Sequence, residues 1–394
     1  MFYEVEDAIK DLKDGNMLVI VDDEQAEGGG VFFVASEQIT NEHISYMMKF
    51  GTGFTTITLP EEKMKSIYMA KARNEQAVGT DTYDISIDYK GLDSGITAKA
   101  REITIKKLLE EQIDYNHFTT PGHVFVAKAI PGGVLKRAGF EEAASDLATI
   151  AGLYPSGVIS KILTEDGELA RGDQIFELAK KENMKIVTLE SLIAYRRERD
   201  CYIVKEAEAN LPTEYGQFRM VGFVNTLNGE HHVALVKGEI DEEDEVLVRV
   251  HSECLTGDAF HSLKCDCGEQ LARALMNIEK EGKGILLYLR QEGRGIGLIN
   301  KIKAYKLQEE GLDTEEANLA LGFPSDMRDY GIGAQILSEL NVRKVRLMTN
   351  NPKKIVGLKG HGIEIVERVP IVMDSNEFNK RYFLTKKEKM GHLY

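Results

Sequence analysis

Residues 251–271, HSECLTGDAFHSLKCDCGEQL, place three of the chain's four cysteines in the spacing Cys254-x10-Cys265-x-Cys267. The stretch lies between two elements of different period. VLVRVH (246–251) carries strand signals, whereas Leu271, Leu275 and Ile278 recur at i, i+4 and i+7, and Gly282 and Gly284 close a helix. Working outward, ILLYL (285–289) reads as a buried strand, RQEGRGIG (290–297) as a turn, and LINKIKAYKLQEEG (298–311) as a second helix. A helix around Gln335 to Leu340, the strand VRLMT (345–349), a helix near Pro352 to Leu358 and the strand IEIVERVPI (363–371) complete the region. Upstream, FRMVGFVNT (218–226) and HHVALVKG (231–238) add strands. Residues 1–200 repeat the mixture, with strand candidates MLVIV (17–21), FTTITL (54–59) and DISIDY (84–89) and helices near 99–111 and 141–152. The expected fold is α+β (mixed α/β) in two domains, 1–200 and 201–394, each a mixed sheet with packed helices. The seam is the charged end of LESLIAYRRERD (189–200), where Arg196, Arg197, Glu198, Arg199 and Asp200 suit a solvated junction.

The cysteines carry the chemistry. Cys265 and Cys267, separated by Asp266 alone, can grip one soft cation, and thiolates select zinc among the common divalent ions. A zinc ion with three protein ligands keeps an open corner for water, whose pKa falls from about 15.7 toward roughly 7. That reading points to hydrolysis. A structural zinc whose fourth ligand is His251 or His261 weighs equally on spacing alone, since three-Cys-plus-His sites are common.

Composition narrows the class. A chain of 394 residues has room for two or three cores, and 43% hydrophobic with 29% charged residues is ordinary for a globular protein. A net charge of −15 argues against a nucleic-acid or membrane-surface binder while leaving room for a locally basic pocket. Four cysteines, three of them clustered, make no disulfide framework and fit a reduced, cytoplasmic compartment. The start, MFYEVEDAIKDLKDG, is acidic and shows no signal peptide, and the longest apolar runs are strand-sized.

Four further segments of the second half carry more polarity than folding needs. RVHSEC sets Arg249 and Glu253 ahead of the first thiol. QEGRGIG (291–297) offers backbone N–H groups to phosphate, with Arg294 able to add bidentate contacts, although glycines in such turns more often serve φ > 0. In PSDMRDYGIG, Asp326 and Arg328 precede a helix; capping is the plain reading, and a proton acceptor beside a phosphate-directed cation is the functional one. In TNNPKK, Thr349, Lys353 and Lys354 can hold a triphosphate. Tyr305 falls on a Leu298/Ile302/Tyr305 stripe and by default reads as a packed core aromatic.

Together these segments resemble GTP cyclohydrolase II of riboflavin biosynthesis. RVHSECLTGDAF, CDCG, LLYLRQEGRGIGL, KIKAY, DTEEAN, LGFPSDMRDYGIGAQIL, LMTNNPKK and TKKEKMGHLY stand in that family's order across residues 201–394. The resemblance implies zinc on Cys254, Cys265 and Cys267. It implies GTP-binding roles for Arg249, Val250, His251, Ser252, Glu253, Gln270, Glu292, Gly293, Arg294, Thr314, Thr349 and Lys354. Asp326 would be the proton acceptor, Arg328 the nucleophile and Tyr305 the catalytic tyrosine. The implied reaction opens the guanine imidazole ring at C8, frees formate, and releases pyrophosphate as Arg328 attacks or stabilises the α-phosphorus, with Mg²⁺ on the triphosphate. The product would be 2,5-diamino-6-ribosylamino-4(3H)-pyrimidinone 5′-phosphate, and the family habit implies a homodimer.

Residues 1–200 resemble 3,4-dihydroxy-2-butanone 4-phosphate synthase through VDDE (21–24), FGTGF, SGITA, TTPGHV (119–124), GGVLKRAG (132–139), EAASDLATIAGL and GVIS. The match breaks where the chemistry should lie. Ala26, Gly29 and Val31 stand where that family has Arg, Glu and Asp, and only Glu27 remains as a metal position. Phe140 and Glu141 replace a metal-binding His and a Thr, Ser160 and Lys161 replace Cys and an acidic residue, and Ala100 replaces another acid. A Mg²⁺ site needs oxygen ligands near an octahedron. Phe140 offers no lone pair, and a lysine about 4 Å from a cation is repelled by roughly 4 kcal/mol per unit charge pair at an effective dielectric near 20. The expectation is a folded but catalytically dead synthase half. The rivals are a fully bifunctional enzyme that also converts ribulose 5-phosphate, and a non-catalytic, zinc-stabilised sensor of guanine nucleotides.

Overall fold

A computed structural model describes residues 4–23, 25–64, 83–324, 326–351, 354–355, 358 and 362–380. Glu24, Lys353, most of the helix expected near Pro352 to Leu358, and the terminal TKKEKMGHLY lie outside the described residues. The chain divides into two compact units, Met1–Arg197 and Glu198–Tyr394, and each is built on a mixed seven-stranded sheet with packed helices.

The first sheet is formed by β1 (Leu18–Val21), β2 (Gly30–Ala35), β3 (Thr55–Pro60), β4 (Tyr83–Tyr89), β5 (Phe118–Ala129), β6 (Gly157–Lys161) and β7 (Ile186–Thr188). Their order is β4-β5-β3-β6-β2-β1-β7. Its central strands are covered on both faces, which is why MLVIV is a continuous apolar run rather than an alternating one. Val19, Val21, Phe32 and Val34 enter one apolar cluster, while Leu18, Ile20, Val31 and Phe33 enter another, as the two-residue period of a strand requires. Beside the second cluster, the helix Phe140–Ile150 buries two carboxylates. Glu142 pairs with Arg137 at 2.5 Å, and Asp146 pairs with Arg196 at 2.6 Å while accepting from the Val134 N–H at 2.8 Å.

The second sheet comprises β8 (Ile203–Thr213), β9 (Gly216–Asn225), β10 (His231–Lys237), β11 (Glu245–Ser252), β12 (Gly284–Leu289), β13 (Lys344–Met348) and β14 (Glu364–Val369). Their order is β14-β13-β11-β12-β10-β9-β8. β8, β9 and β10 form an antiparallel meander, whereas β11 runs parallel to both β12 and β13. The carboxyl ends of β11, β12 and β13 therefore open on one side, at Ser252, Leu289 and Met348. Such an edge is where open α/β sheets hold ligands. The helix Cys267–Glu281 ends at Gly282, whose φ of 78° is the left-handed turn that glycine supplies without strain.

Two expectations need correction. The helix expected around Gln335 to Leu340 runs Gly331–Glu339 and starts inside GIG. Glycines are poor helix formers in isolation, but here packing overrides propensity: a Cβ on Gly333 would stand 3.3 Å from Leu358, 3.6 Å from Val250 and 3.7 Å from Leu287. The Leu298/Ile302/Tyr305 stripe is not core. On the helix Leu298–Glu309, Ile302 is 52% exposed and Tyr305 turns toward a cavity. Among the described residues, no helix is long and apolar enough to cross a membrane.

Candidate active site

The turn after β11 carries the first thiol. Cys254 precedes the short helix Leu255–Asp258, and Cys267 opens the helix Cys267–Glu281. The Sγ atoms of Cys254, Cys265 and Cys267 lie within 4.8 Å of one another, and Cys254 Sγ is 3.7 Å from Cys265 Sγ. Tetrahedral Zn–S bonds of about 2.3 Å set sulfurs roughly 3.8 Å apart, so the donor set fits that ion. Among the described residues no fourth His, Cys, Asp or Glu joins the group. His261 is exposed, and His251 Nε2 is committed to Asp258, at 3.0 and 3.1 Å from its two oxygens.

Glycine permits this convergence. A Cβ on Gly257 would sit 2.8 Å from Cys265 Sγ and 3.2 Å from Cys254 Sγ, and one on Gly268 would meet the Gly257 carbonyl oxygen at 2.3 Å. Behind the thiols, Asp258 gathers three donors, since an ionised carboxylate only accepts. They are His251 Nε2, the Cys254 N–H at 2.9 Å and the Tyr288 hydroxyl at 2.8 Å. His251 stacks on Tyr288 at 5.6 Å between ring centroids, and burial holds its imidazole below the ordinary pKa against the pull of Asp258.

The thiols open into a cavity of about 160 Å³ at the carboxyl ends of the parallel strands. From β11 come Arg249, His251 and Ser252, followed by Glu253. The Arg249 guanidinium is fully buried, pushed down to about 10 by that burial, and donates to the Met348 carbonyl at 2.8 Å and to Gln270 Oε1. Gln270 in turn donates to Asp266 at 2.6 Å. Burial raises the Glu253 carboxyl above its usual range, with Arg290 opposing from 3.6 Å.

After β12, the turn at Glu292–Gly295 puts Gly293, Arg294 and Gly295 at φ of 62°, 63° and 93°. Arg294 is the costly member, because a side chain in the left-handed region is strained. The turn brings Glu292 inward: its oxygens accept from the Leu255 N–H at 2.7 Å, the Gly293 N–H at 2.7 Å and Lys301 Nζ at 2.7 Å. The next helix turns Lys301, Ala304, Tyr305 and Gln308 to the cavity, a spacing of i, i+3, i+4, i+7. Lys301 Nζ also donates to Cys254 Sγ at 3.1 Å, and the Tyr305 hydroxyl is 3.3 Å from Thr256 Oγ1. Burial raises the Tyr305 pKa.

Thr314 and Asn318 line the cavity from the helix Thr314–Ala320, which Asp313 and Glu316 cap reciprocally. Arg328 reaches in, held by Asp326 through two bonds of 2.8 and 2.6 Å, and stacks on Tyr330 at 5.3 Å. Asp326 does not cap the following helix, whose N-cap is Tyr330; Asp329 accepts from the Gly331 N–H at 2.9 Å. Arg328 outweighs burial and keeps the Asp326 carboxyl below its ordinary value. After β13, Thr349, Asn350 and Asn351 close the floor, and Lys354 Nζ donates to the Val250 carbonyl at 2.8 Å.

Sixteen of the residues singled out by sequence thus share one cavity, and two stand behind it: Val250, through its carbonyl, and Asp326, through Arg328. Lys264, Asp266, Lys301, Asn318 and Asn351 line it as well; the last four fall inside the quoted motifs, although none was singled out for a role.

In the first unit the substituted positions carry no comparable set. Ala26 is buried with φ 51°, Val31 lies inside β2, and Lys161 is exposed at the end of β6, register partner of Val31. Phe140 packs against the second apolar cluster. Glu27 is exposed, and its carbonyl accepts from Arg171 at 3.0 Å.

Two mixed sheets, one with a thiol-lined cavity at its parallel strand ends, define a two-part α/β enzyme. Family models match in the same sense: 3,4-dihydroxy-2-butanone 4-phosphate synthase over residues 6–195 and GTP cyclohydrolase II over residues 204–370. The riboflavin biosynthesis protein RibBA of Bacillus cytotoxicus is 50% identical over 394 residues, 100% of this chain and 99% of that protein. RibBA of Bacillus mycoides is likewise 50% identical over 394 residues, with the same coverage. The crystal structure of RibBX, a two-domain 3,4-dihydroxy-2-butanone 4-phosphate synthase from A. baumannii, shares 30% identity at a TM-score of 0.64 and covers 94% of this chain and 100% of that one. The chain belongs to this fused riboflavin-biosynthesis family and is an enzyme of its GTP cyclohydrolase II class.

Proposed function

We propose that residues 201–394 hydrolyse GTP to 2,5-diamino-6-ribosylamino-4(3H)-pyrimidinone 5′-phosphate, formate and pyrophosphate with zinc on Cys254, Cys265 and Cys267. The observation that carries this reading is the convergence of three sulfurs, with no fourth ligand among the described residues, in a cavity also lined by Arg328 and Lys354. Zinc held there would supply a Lewis acid and an activated water next to the purine ring.

The remaining work falls to side chains. Glu253 faces the cavity as an acceptor for purine N–H groups, and Gln270, oriented by Arg249, lines the same cavity. Tyr305, whose hydroxyl lies beside Thr256, is placed to hand a proton to the opening ring. Arg294, Thr349 and Lys354 take the triphosphate together with Mg²⁺, and Thr314 lines the same cavity. Arg328, held by Asp326 through two bonds, would present its guanidinium to the α-phosphorus, and Asp326 would accept the proton that Arg328 gives up should the arginine act as nucleophile. The competing sensor reading predicts GTP binding without turnover.

For the first unit the proposal is a synthase-like domain without synthase chemistry, which leaves it a structural, dimerising or regulatory part of a cytoplasmic homodimer. Its support is the set of side chains present: an aromatic at Phe140, a cation at Lys161 and a methyl at Ala26. The bifunctional alternative predicts conversion of ribulose 5-phosphate. Purified protein incubated with GTP, with and without zinc, tests the main reading. Zinc-dependent formate and pyrophosphate release is expected; GTP bound but intact would overturn it.

A further inference from the structure

Lys301 donates directly to one of the thiols, and none of the roles above uses it. Its residue is 9% exposed, so its ammonium has left bulk water and must be satisfied by protein. Three neighbours do so. Nζ lies 2.7 Å from Glu292 Oε1, 3.1 Å from Cys254 Sγ, and 5.8 Å from the centre of the Tyr305 ring. Burial opposes an unpaired charge there, and the Cys254 sulfur and the Glu292 carboxylate are the two acceptors that the ammonium meets. Glu292 does not cancel that charge alone, because its oxygens also accept from the Leu255 and Gly293 N–H groups.

Three thiolates around a dication leave a net charge of −1, and electron-rich sulfurs weaken the ion as a Lewis acid. A hydrogen bond from a cation to one sulfur draws density back. We propose that Lys301, anchored by Glu292, is the counter-charge of the thiolate cluster and keeps a bound divalent ion electrophilic by donating to Cys254 Sγ. Lys301 acts through Cys254 and is therefore a positioning and tuning residue, not a catalytic one. The inference rests on the zinc reading of the cluster, and it differs from a plain structural ion pair between Lys301 and Glu292. Groups beyond a metal's ligands change affinity or activity by about 10- to 100-fold when removed.

The test uses full-length protein loaded with cobalt(II) in place of zinc, comparing the parent with K301Q and K301R. Loss of the charge in K301Q is expected to shift the sulfur-to-cobalt charge-transfer band and to weaken metal retention against a chelator by about 10- to 100-fold. It should also move the acidic limb of kcat with GTP upward by about one pH unit, a tenfold change in the governing ionisation. K301R keeps the charge and should restore most of the band position. A K301Q protein that is merely less stable, with band, retention and acidic limb unchanged, would overturn the proposal and leave the ion pair structural. Should K301Q not fold, E292Q decides, because it takes the carboxylate anchor from the Lys301 ammonium: the band must shift and the metal be lost to a chelator more readily, and an unmoved band with unchanged retention sinks the idea. Parent protein that takes up neither cobalt nor zinc would overturn the zinc reading itself, a result distinct from all of these.

Discussion

The two halves are built alike and equipped differently. Both set a mixed seven-stranded sheet among helices, and both bury their central strands. In the second half, the ends of β11, β12 and β13 deliver Arg249, Glu292, Thr349 and the thiols to one cavity. In the first half, the positions proposed to have lost their ligands hold Ala26 and Val31, both buried, Phe140, which packs against an apolar cluster, and Lys161, which is exposed beside Val31. The comparison separates what makes a fold from what makes a site. Apolar periodicity and turn glycines carry the sheet in both halves, and on the proposed reading a few polar positions decide whether a site comes with it.

Several measurements would break or sharpen that contrast, the largest effect first. Cys265→Ser should remove zinc and formate release together, with activity falling by at least about 10³-fold, while the first unit keeps its unfolding transition. Retained turnover in that variant would mean the reaction lies elsewhere.

Asp258→Ala strips three buried donors of their acceptor. Each unsatisfied donor costs about 1–3 kcal/mol, so denaturant unfolding of the second unit should lose about 3 kcal/mol or more. Zinc affinity should fall about 10- to 100-fold with it, because the Cys254 N–H loses its anchor.

A pH titration probes the same unit further from the cavity. His232 is fully buried, accepts at Nδ1 from the Arg290 N–H at 3.2 Å, and burial holds its pKa down to about 4. A neutral imidazole in the fold and a protonatable one in the unfolded chain make stability complete above about pH 6.5 and progressively lost as pH falls toward 4. The loss amounts to roughly 3 kcal/mol and should disappear in His232→Asn, as read by guanidinium unfolding at pH 7 and pH 4. A variant with the parent's acid sensitivity would assign the loss to other groups.

Gly257→Ala sharpens the geometry of the thiols, since the new methyl would meet Cys265 Sγ at 2.8 Å. Zinc retention should drop by about tenfold with little change in the fold of the sheet.

Much of this was readable from the chain. Leu271, Leu275, Ile278 and Gly282 announce the helix Cys267–Glu281, and ILLYL announces β12, because burial on one stripe or both faces leaves a period in the sequence. The thiol spacing and the motif order located the cavity before any geometry. Other features leave no mark in periodicity or spacing, even where they fall inside the quoted motifs. Lys301 sits in a stretch whose apolar residues, Ile299 and Ile302, face away from the core at 65% and 52% exposure, so the helical stripe pointed in the wrong direction. Asp258 acts on donors from β11 and β12, and Gly257 is small only because two sulfurs meet above it. These are facts of tertiary convergence, which spacing along the chain does not encode.

The central claim is that chemistry has been kept in one half and lost from the other, and one preparation can decide it. Zinc-loaded protein is given GTP in one vessel and ribulose 5-phosphate with Mg²⁺ in another. The account predicts formate and the pyrimidinone phosphate from GTP, and no four-carbon phosphate from the pentose. Steady production of 3,4-dihydroxy-2-butanone 4-phosphate would contradict it.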